Sequence, residues 1–133
     1  MSTEIVQQND NTAAMWCHLA GIAGIVPFCN IFAPLVVWLS MRDRDPSVDL
    51  NGKEALNFQM TMSAIFVAMY FLSFLGAIVG IFLPRGFLLV AEVLEIVCYL
   101  ALAVFWSVVV IKASIAAYAG RTYRYPLTIR LVT

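Results

Sequence analysis

The chain has 133 residues, 62% of them hydrophobic and 12% charged, with acidic and basic side chains in balance and a mean hydropathy of +0.89. A soluble domain is about half apolar and about a quarter charged, so this composition excludes an ordinary water-soluble globule and points to a one-domain integral membrane protein. The charge balance leaves no basic face for nucleic acid and no acidic tail for a charged partner.

Residues 1–12 form a polar N-terminal segment with Glu4 and Asp10 but no Lys or Arg. A secretory signal needs a basic start, so the apolar stretch that follows is expected to be retained in a helical membrane domain over residues 13–133.

That stretch, residues 13–41, is interrupted by Pro27 and Pro34 with Asn30 between them. Proline removes a helical hydrogen bond and clashes with the preceding turn. The two halves would be helices of about 21 Å and about 16 Å, both short of a hydrocarbon core of about 30 Å. The residues alone allow either one kinked span or a hairpin of two short helices. Backbone broken at membrane depth must in both cases be covered by protein or water.

A polar island follows at residues 42–53, read as a loop. It carries Arg42, Asp43, Arg44, Asp45, Asp49 and Lys53. Asn51 and Glu54 have capping-box spacing, which predicts a helix from Gly52 to Leu83. Asn57, Thr61, Ala64 and Ala68 recur at helical spacing and give that helix a polar or small face. Gly76 and Gly80 would let another helix approach, and Pro84-Arg85-Gly86 marks the turn.

A second long apolar helix is predicted over residues 87–119, with Glu92 and Glu95 near its start and Lys112 near its end. Ala113, Ala116, Ala117 and Gly120 give it a small-residue face. From Glu95 to Lys112 the rise is about 25 Å, close to the thickness of a bilayer core. Residues 121–133, rich in Tyr and Arg and broken by Pro126, read as an interfacial tail.

The fold expected is therefore all-α and polytopic, with two long transmembrane helices after the proline-broken segment. The island holds Arg42, Arg44 and Lys53, and the tail Arg121, Arg124 and Arg130, whereas the turn between the spans holds only Arg85. The excess of cations places island and tail on the cytoplasmic side.

Candidate functional residues are few. Lys53, Glu54, Asn57 and Gln59 are the main polar groups at the island end. They either tie the island to the tail residues Tyr123, Arg124 and Tyr125 and to Asn30, or they contact a partner protein, a lipid headgroup or a moving chain. Glu92 and Glu95 are weaker candidates for an ion or proton site, and Arg85 is near enough in sequence to pair with one of them. His18, the one histidine, adjoins Cys17. Neighbouring helical positions point about 100° apart, so these two with Cys29 do not suggest a zinc site, and a packing hydrogen bond from His18 to the Asn57–Thr61 face is expected instead. The cysteines Cys17, Cys29 and Cys98 are read as free thiols. Neither a nucleophile–base pair nor a phosphate-binding glycine loop stands out, so no enzymatic activity, cofactor or metal is expected.

Three stretches carry a family resemblance: Pro27-Phe28-Cys29-Asn30-Ile31-Phe32-Ala33-Pro34-Leu35-Val36-Val37-Trp38, Lys53-Glu54-Ala55-Leu56-Asn57-Phe58-Gln59 and Tyr123-Arg124-Tyr125-Pro126-Leu127-Thr128-Ile129-Arg130. Together they resemble small bacterial membrane proteins related to the twenty-kilodalton subunit of the chloroplast inner-envelope translocon. The resemblance implies four helices with the first two short, and so favours the hairpin. Its functional implication is an analogy at the level of the fold. The function expected is a non-enzymatic accessory or assembly subunit of a larger membrane complex, contacting lipid and other membrane proteins or copies of itself. The alternative is an oligomeric channel or translocon-like component with the Asn57–Thr61 face lining water.

Overall fold

The computed structural model describes residues 2–25 and 29–133. Pro27, at the break in the first apolar segment, lies outside them. The elements are α1 (Ser2–Leu19), continued by a 3-10 turn (Ala20–Ile25), α2 (Cys29–Met41), α3 (Pro46–Gly80) and α4 (Arg85–Tyr118). All regular structure among the described residues is helical, as the composition predicts.

The boundaries differ from expectation in two places. Residues 2–12 are not a separate polar segment, because α1 begins at Ser2 and runs unbroken into the apolar stretch. The island is a loop only at its start. Asp45 caps α3, its side chain accepting a hydrogen bond from Ser47 N at 2.7 Å, and Pro46 occupies the first turn. Asp followed by Pro is a helix-start signal as strong as the Asn51–Glu54 pair. Asn51 is therefore no cap: it lies inside α3 and is buried. The hydrogen bond from Ser47 also holds the Asp45 carboxyl below its ordinary pKa.

The contacts fix the helix directions. His18 meets Asn51 and Gly21 lies against Gln59, so α1 runs parallel to α3. Asn30 meets Ser63 and Trp38 meets Asp49, so α2 runs antiparallel to α3. Helices α1 and α2 thus form a hairpin, which decides against the kinked span. Trp106 bonded to Gln59 and Glu95 to Ser73 make α4 antiparallel to α3.

The core lies at the island end. Ala13, Ala14 and Cys17 of α1 cluster with Trp38, Val48, Ala55, Leu56 and Ala117. Phe58 and Met62 of α3 cluster with Val109, Val110 and Ala113 of α4 and with Tyr125 of the tail. Small side chains on α1 and α4 let the backbones approach closely, which is the use of the small-residue face predicted around Ala113 and Ala117. Gly52 serves the same purpose for α2, since a Cβ there would stand 2.2 Å from the Trp38 ring. Burial also pushes the Cys17 thiol up to about 12, leaving it an inert core group.

Beyond Ser63 the packing thins out. Apart from Gly80, the buried residues of α3 lie between Val48 and Met62, and those of α4 between Val109 and Ala117. The remaining turns present apolar side chains outward, and both helices are long and apolar enough to cross a membrane.

Candidate functional site

The early start of α3 puts Ser47, Asn51, Glu54, Phe58 and Thr61 on one helical face, with Asn57 at its margin. The tail lies along this face in extended form, and the face satisfies its backbone groups in turn. Asn51 Oδ1 accepts from Tyr123 N at 3.4 Å, and Glu54 Oε2 accepts from Tyr125 N at 3.3 Å. Thr61 Oγ1 accepts from Ile129 N at 3.1 Å. Asn57 makes three bonds: Oδ1 accepts from Leu131 N and Val132 N, both at 2.8 Å, and Nδ2 donates to the Val132 carbonyl at 2.9 Å. Arg130 closes the clamp by pairing with Glu54 at 3.0 Å. The tail is therefore a strap across the domain, not a segment adrift among headgroups.

A buried triad joins strap, α1 and α3. Asn51 Nδ2 donates to the Ser47 carbonyl, which leaves Oδ1 to accept from His18 Nε2 at 3.0 Å. His18 Nδ1 is then the acceptor for the Tyr125 hydroxyl, also at 3.0 Å. The Tyr125 ring stacks on Phe58 with centroids 4.1 Å apart, and Tyr123 meets it edge-on. His18 thus bonds Asn51 and Tyr125, not the Asn57–Thr61 face predicted for it, and both ring nitrogens are occupied. Burial drives the His18 pKa down to about 4 against the smaller opposing effects of Asn51 and Glu54, and the same burial raises the Tyr125 phenol.

A pH dependence follows. The folded-state value of about 4 lies below the ordinary 6.5, so the folded protein binds fewer protons than the unfolded chain. The stabilisation is complete above pH 6.5 and is lost as pH falls toward 4, amounting to about 3 kcal/mol. Melting temperature in mild detergent should drop over this window in the wild type and drop less steeply in His18→Gln. Equal slopes for the two proteins would refute the assignment.

The other predicted residues are divided. Lys53 pairs with Asp49 at 2.7 Å, and Asp49 also accepts from Trp38 Nε1 at 2.9 Å, which pins α2 to the start of α3. Gln59 accepts from Trp106 Nε1 at 3.1 Å and lies against Gly21, where a Cβ would stand 2.0 Å from its amide nitrogen. Asn30 does not join this cluster and bonds Ser63 Oγ at 2.7 Å instead. Arg124 is exposed and has no ion-pair partner among the described residues.

Glu92 and Glu95 line a cleft of about 580 Å³ between α3 and α4, together with Ser73, Gly76 and Cys98. Glu95 accepts a hydrogen bond from Ser73, whose Oγ also stands 3.4 Å from the Tyr99 hydroxyl. The Arg85 partner expected for these carboxylates is absent among the described ion pairs.

Two hubs were missed from the sequence, Asn51 as a buried junction and Trp38 as a clip. Spacing from Pro46 would have revealed the first. The chemistry of this end is that of a hydrogen-bonded polar scaffold, in which the buried Ser47 hydroxyl has no partner among the described residues, with Arg42, Asp43 and Arg44 exposed beside it.

The chain belongs to the magnetosome magnetite crystal formation protein family, which it matches over residues 9–132. No curated protein and no solved structure matches it. The family match and the two apolar helices support a membrane location. The match gives no support to kinship with the chloroplast translocon; it shares with that expectation only a small helical membrane family.

Proposed function

We propose that the protein is a non-enzymatic accessory subunit of a membrane assembly that acts in magnetite crystal formation, and that it engages its partners through the charged elbow and the strap. The observation that carries this reading is a contrast within one end of the molecule. Asn51, Glu54, Asn57 and Thr61 of α3 are engaged by the strap, while the elbow keeps its charges available. The Asp43 side chain is 92% exposed and its contact with Arg42 is a loose 3.8 Å. Arg44, Arg121 and Arg124 are exposed and have no ion-pair partner among the described residues. Rigidly mounted, unpaired charges suit protein recognition, because little ordering is required on binding.

The positive-inside pattern supports a cytoplasmic elbow and strap in a multi-pass protein of the bacterial inner membrane. The translocon resemblance would add a role in moving chains or ions. That reading needs several copies and a wet Asn57–Thr61 face, and the strap over Asn57 and Thr61 favours the accessory role instead.

Photo-crosslinking groups at Asp43 and Arg44 in living cells, with controls at the outward-facing Val67 and Val104, test the proposal. The elbow positions should capture a reproducible protein partner that the controls do not. Capture of lipid alone from both sets would refute it.

A further inference from the structure

The helices are unevenly distributed along the membrane normal. At the level of residues 48–63 of α3 the cross-section contains α1, α2, α3, α4 and the strap. Past Ser63, apart from Gly80, α3 and the facing part of α4 have no buried residues among those described. At about 10 Å diameter per helix, the island end occupies about twice the area of the far end.

The wide end lies within the bilayer and not above it. Trp106 and Gln59 are level with each other, so Lys112 of α4 stands close to the level of Lys53 on α3. Two lysines at one height mark the headgroup boundary, and the apolar run of α3 starts there. From Lys53 the start of α2, where Asn30 meets Ser63, is about 15 Å deeper, near the middle of a core of about 30 Å. The outer face of the hairpin agrees with this depth. Phe32, Val36 and Leu39 form an exposed stripe on α2 at helical spacing, and Trp16 and Ile22 are exposed on the other arm. Such a stripe is stable in hydrocarbon and costly in water.

We propose that the protein is a molecular wedge that binds preferentially to curved bilayers, with its elbow in the expanded, convex leaflet. A hairpin that fills one leaflet to mid-depth enlarges that leaflet alone, and outward curvature relieves the resulting packing stress. The wedge rests on the fold; its sidedness in a cell rests on the cytoplasmic orientation proposed above. In any compartment enclosed by the cytoplasm, the cytoplasmic leaflet is the convex one.

The test uses the full chain, labelled with a fluorophore at its N-terminus and reconstituted into phosphatidylcholine–phosphatidylglycerol vesicles of mixed size. The start of α1 lies on the elbow side, since Asn11 adjoins Gly120. A membrane-impermeant quencher therefore separates elbow-out from elbow-in copies on each vesicle. Elbow-out copies should be enriched about twofold or more per unit area on the smallest vesicles relative to the largest, and elbow-in copies depleted. The double substitution Phe32→Asp with Val36→Asp expels the hairpin from hydrocarbon and should abolish the sorting. Equal density at all sizes for both orientations overturns the proposal, as does sorting of the double variant like the wild type. Because no protein partner is present, the outcome does not depend on the accessory role.

Discussion

Replacing Tyr125 by alanine is expected to destabilise the protein by about 3–5 kcal/mol, the range for removing a buried aromatic side chain. The ring is 3% exposed and stacks on Phe58, and its hydroxyl fills the hydrogen bond at His18 Nδ1. Alanine would leave a cavity between α3, α4 and the strap and strand an imidazole nitrogen in it. Tyr125→Phe isolates the second effect, because the ring remains while the acceptor loses its donor, at about 1–3 kcal/mol. Thermal unfolding in one detergent should rank wild type above the phenylalanine variant and that above the alanine variant. A phenylalanine variant as unstable as alanine would mean that the triad, not the stacking, dominates. Two variants indistinguishable from wild type would show that the strap does not hold the fold.

The effect is large because the residue closes a path between parts of the chain that are far apart in sequence. The Tyr125–His18 bond joins the strap to α1, the His18–Asn51 bond joins α1 to α3, and Trp106–Gln59 joins α4 to α3. These contacts lie at the same end as both apolar clusters, so stability is concentrated there. The far halves of α3 and α4 depend on the bilayer to cover their apolar surface, and need only backbone bonds within each helix to cross it.

What the sequence revealed follows the same division. The long helices were legible because an apolar run bounded by Pro84 and Gly86 has one reading in a membrane. The hairpin was narrowed to two options by Pro34 and the shortness of each half, and contacts from Asn30 and Trp38 decide between them. The start of α3 is harder to place because two capping signals stand six residues apart, and the chain uses Asp45, the one farther from the apolar run. That displacement hid the face on which Asn51, Glu54 and Thr61 align. His18 was correctly expected to make a buried hydrogen bond, but its partner could not be chosen without the register. The strap was illegible for a different reason: Tyr and Arg at a membrane boundary have the same composition whether they lie on lipid or on protein, and the backbone groups that decide the matter have no sequence signature.

Asn57→Leu is expected to release the end of the strap. Leucine keeps the volume but removes the acceptor for Leu131 N and Val132 N and the donor to the Val132 carbonyl. Left in place, the three stranded groups would each cost about 1–3 kcal/mol, a sum that few other interactions in so short a segment could offset. Leu127, Ile129 and Leu131 are all exposed on the protein, so packing against α3 supplies little of that difference. The last residues should therefore detach from α3, while Tyr125 remains anchored by Phe58 and His18. Carboxypeptidase digestion reads this directly: the variant should be trimmed rapidly to the region of Pro126 and the wild type should resist. Thr61→Val, which removes one strap acceptor, that for Ile129 N, along with the hydroxyl's own bond to the Asn57 carbonyl, should loosen the same segment by a smaller amount. If Asn57→Leu is trimmed no faster than wild type, the strap is held by contacts other than the α3 face. If trimming accelerates and the Asp43 and Arg44 crosslinks persist, the strap serves the fold and the elbow serves the partner, and the two roles of this end of the molecule separate.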